Sequence, residues 1–302
     1  MCIGKICVKK LVLTESYNES TSESFSTTQT ILIGDAKKKL KTIPDESVHL
    51  MVTSPPYGQI KDYSRSGQIG FGQDIETYHK DLNKVWKEVA RVLHAGCRMV
   101  INIGDEFIRS SKSQIYQIVP HHAFIINNVL TSCPDLVYTG TINWSKVTKT
   151  KTNGGGKIMG SVFTPRDGHF FVNREYIIVF KKKGKGPKNR KEIKERSRFT
   201  IEERREMFQD TWKIPGINQN GHIAMFPDEV PERLIRMYSF VGDTVLDPFL
   251  GSGTTLAMAA KWERNGVGIE LGYTPDNTWK QFTENKIREN ISLQDEIIFI
   301  DS

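Results

Sequence analysis

Thr53-Ser54-Pro55-Pro56-Tyr57 is the stretch of this 302-residue chain whose chemistry reads most directly. Two successive prolines cannot extend a strand or a helix. The apolar run Val48 to Thr53 therefore reads as a strand that ends in a rigid turn, at the end where ligands bind in open α/β sheets. A carbonyl followed by proline is held in a fixed direction. The Ser54 hydroxyl and the Pro55 carbonyl thus offer two acceptors to the two hydrogens of an amine. An exocyclic amine on a nucleobase is a poor nucleophile because its lone pair is delocalised into the ring. Two acceptors favour a pyramidal nitrogen and free that lone pair. Tyr57 adds a flat face on which an unstacked base can lie. A plain surface turn would look the same, so the reading needs a second feature.

The second feature is Asp247-Pro248-Phe249-Leu250-Gly251-Ser252-Gly253-Thr254-Thr255, a glycine-rich turn between a short apolar strand and a helix. Glycines let the backbone approach a ligand closely. Thr254 stands where a phosphate-binding P-loop requires lysine. Glu270 closes the next strand, where an acid accepts hydrogen bonds from ribose hydroxyls. Acids, close backbone and no lysine clamp suit a ligand with a ribose and a positive charge but no phosphate. S-adenosylmethionine fits that description.

The elements that must position these residues alternate. Ile31-Leu32-Ile33 reads as a short strand, followed by a helix at Lys37 to Leu40. Residues 75–95 carry apolar side chains at three- and four-residue steps, predicting a helix with Gly96 as its C-cap. Arg98 to Ile103 and Tyr176 to Phe180 read as strands, and Pro231 to Phe240 as a helix with proline in its first turn. Thr244 to Asp247, Thr254 to Trp262 and Gly266 to Glu270 continue the pattern as strand, helix and strand. Strands alternating with helices imply a doubly wound, mostly parallel sheet. Residues 14–30 hold ten Ser or Thr and predict a flexible tail over 1–30, with order beginning at Ile31.

Charge is unevenly spread. The net is +7, yet residues 146–213 hold 19 Lys or Arg against 8 Asp or Glu. Such a patch is the footprint of a polyanion binder, although a solubilising surface would read alike. Four cysteines, none in a CxxC pair, predict neither a zinc site nor a disulfide framework, and no metal is expected. No apolar run reaches the roughly 20 residues of a membrane span. The N-terminus lacks the apolar core of a signal peptide, so a cytosolic protein is expected.

Taken together, these blocks resemble the amino-methylating DNA methyltransferases of bacterial and archaeal restriction–modification systems, in the beta arrangement where the catalytic motif precedes the cofactor loop. The matching blocks occupy about half of the chain, in the expected order. They are Ile33-Gly34-Asp35, Ile43 to Val48 with Thr53 to Tyr57, Asn173-Arg174-Glu175-Tyr176 to Lys181, His222 to Pro227 with Arg233-Leu234-Ile235, Asp247 to Thr255, and Gly268-Ile269-Glu270.

The resemblance implies a permuted S-adenosylmethionine-dependent fold with a basic insertion. Residues 31–143 and 221–302 would form the catalytic domain, and 144–220 the target-recognition region. Asp35 would contact the cofactor's adenine, Phe249, Gly251 and Gly253 would cradle it, and Glu270 would hold its ribose. His222, Phe226 and Pro227 would wall its methionine end, with Asp247 and Thr254 completing the pocket. Ser54, Pro55, Pro56 and Tyr57 would hold a base flipped out of double-stranded DNA, for direct transfer with no covalent enzyme intermediate. Lys181, Lys182, Lys183, Lys185 and Arg190 are expected to track phosphates. A cognate restriction endonuclease would act on the same site without a stable complex.

Ser54 stands where many relatives have Asp, and the Ser-Pro-Pro-Tyr form is associated with methylation of cytosine N(4); adenine N(6) is the alternative. Physically, Ser can also donate a hydrogen bond to the neighbouring ring nitrogen. Glutamine methylation in proteins uses a related motif, but with Asn at the Ser54 position and the cofactor loop first. A DNA-binding regulator with a dead methylase fold conflicts with the intact set Ser54, Tyr57, Phe249 and Glu270. Cys133 lacks the surrounding motif of a ring-carbon methylase nucleophile. His121-His122 reads as a pair of surface histidines.

Overall fold

The computed structural model describes residues 25–58, 67–108, 117–146, 166, 172–216, 226–272, 278–292 and 294–301. Nine of its strands share one sheet: β1 (Thr28–Ile33), β2 (Val48–Thr53), β3 (Leu93–Ile103), β6 (Leu136–Ser145), β7 (Arg174–Lys182), β8 (Thr211–Lys213), β9 (Thr244–Asp247), β10 (Asn265–Glu270) and β11 (Glu296–Ile300). A separate hairpin joins β4 (Glu106–Ile108) to β5 (Gln117–Val119). Across the sheet the order is β11-β1-β10-β9-β2-β3-β7-β6-β8. The strands from β11 to β3 run parallel, and only β7 opposes its neighbours. The expected doubly wound, mostly parallel sheet is therefore observed.

Side chains of successive strand residues point to opposite faces, so the sheet feeds two cores. Met51, Met99, Ile101 and Leu246 pack with α2 (Ile75–Val92) and α3 (His121–Ser132), whose Leu82, Trp86, Val89 and Ile125 are fully buried. Leu50, Val52, Val100 and Val245 pack with α6 (Glu229–Tyr238), α7 (Thr254–Lys261) and α8 (Thr278–Arg288). Each large apolar side chain enclosed this way contributes about 1.5–3 kcal/mol. Among the described residues, no helix is long and apolar enough to cross a membrane.

Three expectations are corrected. Order does not wait for Ile31, because β1 begins at Thr28. Its polar start is tied into the fold, the Gln29 side-chain amide donating to the Arg264 carbonyl at 2.9 Å and to the Thr27 hydroxyl at 3.1 Å. Helix α2, capped by Asp74 accepting from the Thr77 amide at 2.7 Å, stops at Val92. Leu93 is needed at once as a strand residue opposite Val48. Gly96 is therefore not a C-cap. It has φ +77°, and a Cβ there would sit 2.3 Å from the Gly186 nitrogen. It lets the 184–186 turn close over the edge of β3.

The third correction concerns the boundary at 144. Residues 144–220 do not form a body apart from the sheet, because β7 lies inside it between β3 and β6, and β8 pairs with β6. The short helices α4 (Lys191–Arg196) and α5 (Ile201–Met207) lie between β7 and β8 in the chain, and Met207 joins the second core. Of the expected recognition region, residues 147–165, 167–171 and 217–220 lie outside the described residues, as do 1–24 of the expected tail.

Candidate active site

Strands β9 and β2 are neighbours, yet the chain leaves them in opposite directions, β9 towards β10 and β2 towards β3. This is a topological switch point, where open α/β sheets leave a crevice at the strands' carboxyl ends. The glycine loop follows β9 and the Pro-Pro turn follows β2, so both border that crevice.

Asp247 ties them together. Its carboxylate accepts from the Thr53 hydroxyl at 2.6 Å, the Thr255 hydroxyl at 2.6 Å and the Phe249 amide at 3.0 Å. Burial disfavours its charged form and pushes its pKa up to about 6, against the pull of those hydrogen bonds. Both oxygens are thus used inside the protein, and Asp247 acts as a strut between the motifs rather than as a group aimed at a ligand.

In the glycine loop, Gly251 has φ +54° and Gly253 +83°, and a Cβ on Gly251 would meet only the Phe249 carbonyl, at 3.9 Å. Gly251 is exposed, and its amide donates to Glu270 Oε2 at 2.9 Å. Its carbonyl is held by Trp279 Nε1 at 2.5 Å and Thr283 Oγ1 at 3.3 Å. The Gly34 amide donates to the Glu270 carbonyl at 2.7 Å, which sets Asp35 at the end of β1 beside Glu270 at the end of β10. Asp35 also caps α1 (Ala36–Lys39), accepting from the Lys37 amide. Phe249 is half-buried, its ring 6.1 Å edge-on from Trp86. Two carboxylates, an open glycine and an aromatic ring fit a ribose-bearing cation, with Lys37 Nζ 3.8 Å from Asp35 Oδ2. Thr254 is buried at the start of α7. Phe226 and Pro227 lead into α6, Phe226 packing on the second core, while His222 lies outside the described residues.

The Pro-Pro turn is braced by residues that sequence reading did not single out. Tyr78 donates to the Pro56 carbonyl at 2.7 Å. The Pro55 carbonyl takes no hydrogen bond from the described residues. Ser54 Oγ lies 3.0 Å from the Tyr57 hydroxyl, which lies 2.9 Å from Glu175 Oε2. Asn102 Nδ2 reaches both that hydroxyl, at 3.0 Å, and Glu175 Oε2, at 2.6 Å, and Lys146 pairs with Glu175 Oε1. Burial, with the negative charge of Glu175 second, pushes the Tyr57 pKa well above the usual tyrosine value.

The hydrogens in this cluster can be counted. An amide NH₂ only donates and a carboxylate only accepts. Tyr57 therefore gives its one proton to Glu175 and accepts from Ser54. The Ser54 proton is spent on Tyr57, leaving Ser54 only lone pairs for a ligand. This removes the expected donation from Ser54 to a base's ring nitrogen. Asn102 was legible as a polar residue inside the apolar run Arg98 to Ile103, and Glu175 as an acid opening an apolar strand.

His121 is not a surface residue. Its Nδ1 lies 3.0 Å from His79 Nε2 and its Nε2 lies 3.2 Å from Glu106 Oε2, all three residues being buried. Burial lowers both histidine pKa values, that of His79 to about 4. The cluster backs the turn directly, since a Cβ on Gly58 (φ +38°) would sit 2.5 Å from Glu106 Oε2. Half-buried His122 stacks on Tyr176 at 3.9 Å and pairs with Asp105 at 2.8 Å. Burial raises both described thiols, Cys133 above its ordinary value and Cys97 to about 12, which suits inert cysteines. Among the described residues, no cluster of His, Cys, Asp and Glu is arranged to hold a metal ion.

The basic residues expected on DNA are not brought to this crevice. β7 runs antiparallel to β3, with Tyr176 opposite Ile103 and Lys181 opposite Arg98. Six residues of strand put Lys181 about 20 Å from Glu175. Lys182 donates to the Leu93 carbonyl at 2.6 Å and Lys183 to the Pro134 carbonyl at 2.8 Å, so both serve the fold. Lys185 and Arg190 are exposed beyond the same end. Lys146 and Arg174 are the described cations beside Glu175.

A DNA methylase family model, of the N6/N4 class, matches residues 48–274. The type II methyltransferase M.MjaI of Methanocaldococcus jannaschii is 35% identical over 295 residues, covering 88% of this chain and 93% of that protein. The crystal structure of TTHA0409 from Thermus thermophilus, complexed with S-adenosyl-L-methionine, superposes with a TM-score of 0.70 at 34% identity, covering 90% of this chain and all of that one. A PvuII DNA methyltransferase described as cytosine-N4-specific shares the fold, with a TM-score of 0.60 at 17% identity over 92% of this chain and 99% of that one.

Proposed function

The chain belongs to the DNA methylase family, and from that premise we propose that it methylates the exocyclic N(4) of cytosine in duplex DNA, as the modification enzyme of a restriction–modification system. It is an S-adenosylmethionine-dependent DNA methyltransferase. That cofactor supplies an electrophilic methyl group on a sulfonium. In this reading Glu270 and Asp35 accept hydrogen bonds from its ribose and adenine, and Phe249 packs against it.

The observation that carries the reading is the Thr53–Asp247 link, which fixes the Ser54 turn and the glycine loop on adjacent strands. A base extruded from the duplex would lie along Tyr57, its amine hydrogens directed at Ser54 Oγ and the Pro55 carbonyl. Holding the amine so is an orientation effect, and the two acceptors stabilise the positive charge that develops on nitrogen.

The choice of cytosine rests on the Ser-Pro-Pro-Tyr form of the motif. Ser54 as a pure acceptor serves the amine of either base, so adenine N(6) is the second reading. Duplex DNA is incubated with enzyme and methyl-labelled cofactor, digested to nucleosides, and the labelled nucleoside identified by mass. Label in N(4)-methylcytidine is expected. Label in methyladenosine would refute the cytosine assignment alone, and label on the cytosine ring carbon would refute the mechanism. A cognate endonuclease recognising the same sequence is the partner that such a system implies.

A further inference from the structure

We propose that Glu175 is a positioning residue for methyl transfer: through the Tyr57 hydroxyl it holds Ser54 as an acceptor and receives, by relay, the proton that the methylated amine sheds. The proposal rests on the reading of the Ser54 turn as the base pocket.

The geometry is a continuous line from the crevice to a buried carboxylate. Ser54 Oγ, the Tyr57 hydroxyl and Glu175 Oε2 follow one another at 3.0 and 2.9 Å. Glu175 is only 7% exposed, and its neighbours Tyr57, Asn102 and Lys146 all donate to it. Asn102, donating to the Tyr57 hydroxyl from β3, leaves that hydroxyl no direction for its proton except Glu175. The three side chains come from three strands or strand ends, those of β2, β3 and β7, which the sheet holds in register. Deleting any one of them reopens the rotation of the other hydroxyls.

The chemistry balances. As the nitrogen–carbon bond forms and the carbon–sulfur bond breaks, the positive charge passes to the amine nitrogen, which must lose one proton to end neutral. That proton moves to Ser54 Oγ, the Ser54 proton moves to the Tyr57 oxygen, and the Tyr57 proton moves to Glu175. Ser54 and Tyr57 end as they began, and the carboxylate ends neutral beside Lys146. The raised Tyr57 pKa keeps that residue a phenol, so it passes a proton without standing as a phenolate. Release of the product lets water take the proton back.

Glu175→Gln keeps the shape and an acceptor oxygen but cannot take a proton. General acid–base assistance is worth about 100-fold or more. Single-turnover transfer by E175Q is therefore expected to fall about 100-fold, with S-adenosylhomocysteine affinity by calorimetry and DNA affinity unchanged. E175D should recover much of the rate. In a Tyr57→Phe background, E175Q should cost little more, because the relay is already cut. A readout without turnover is the titration of the Tyr57 ring followed by ¹³C-tyrosine NMR, its signal assigned by absence in Y57F. It should move to lower pH in E175Q, where the neighbouring negative charge is gone. Wild-type transfer rate in E175Q, or an unmoved Tyr57 titration, would overturn the proposal and leave the methylation reading standing. A wild-type enzyme that labels no base in any DNA would overturn both.

Discussion

Thr53 and Asp247, 194 positions apart in the chain, are joined by a 2.6 Å hydrogen bond between adjacent strands. Thr53 immediately precedes the serine of the base turn, and Asp247 immediately precedes the glycine loop. The distance between the Ser54 turn and the glycine loop is therefore set by one buried carboxylate. Misplacing reacting groups by about 1 Å can cost 100-fold in rate, so under the proposed function this contact would govern rate without touching a ligand.

The same carboxylate gives the fold a pH signature. Its pKa is raised from 3.8 to about 6 by burial. Between those values the folded chain holds a proton that the unfolded chain has released, so acidification through 6 stabilises the fold and the gain is lost as pH rises through 6. Asp247→Asn cannot titrate. Denaturant midpoints from pH 7.5 to 4 should shift in favour of the wild type over D247N by up to about 3 kcal/mol. Parallel curves would refute the assignment.

His79 works in the opposite sense. Its pKa falls from 6.5 to about 4, first through burial and then through neighbouring His121. Below 6.5 the unfolded chain takes a proton that the folded chain refuses, so stability drops as pH falls through this window. Replacing His79 with Gln should spare the protein about 1–2 kcal/mol of the loss between pH 7.5 and 5. Urea unfolding at the two pH values measures this, and an equal loss in both proteins would rule it out.

The cofactor and base pockets should be separable. Glu270→Ala removes an acid from the glycine loop and should weaken S-adenosylhomocysteine binding, by about 10- to 100-fold if a charge-assisted hydrogen bond is lost. Ser54→Ala should bind it normally and lose turnover. Titration calorimetry on both variants decides the matter, and equal loss of binding would sink the division of roles.

Placement of the cations makes a further prediction. Arg174→Gln, beside the crevice, should lower the slope of log DNA affinity against log salt by about 1. Lys181, Lys183 and Lys185, at the far end of β7, should leave the slope unchanged when replaced by Gln. A flattened slope in the triple variant would place DNA along that end of the sheet.

What the sequence made legible was local or periodic. The Ser54 turn, the glycine loop and helix α2 each announce themselves within a few residues. The parts it hid depend on pairing across the sheet. Glu175 and Asn102 are ordinary polar residues until antiparallel pairing of β7 with β3 brings them to Tyr57. The polar start of β1 reads as tail because the Arg264 carbonyl that accepts from the Gln29 side-chain amide lies 235 residues away. The lysine cluster reads as a DNA contact because composition carries charge but not which end of a strand bears it.

Ser145 stands opposite Arg174 in the sheet, and the Lys146 amide donates to the Asn173 carbonyl at 2.8 Å. The chain between them thus leaves and re-enters the catalytic body through a narrow neck. Closing a longer loop on fixed ends costs only about 0.6 kcal/mol per doubling of its length. A scaffold with such a neck can accept an intervening segment of different length at little cost to its own stability. The neck itself carries Lys146, Arg174 and Glu175, so any segment spliced there would start and end beside the Glu175–Tyr57–Asn102 hydrogen-bond cluster.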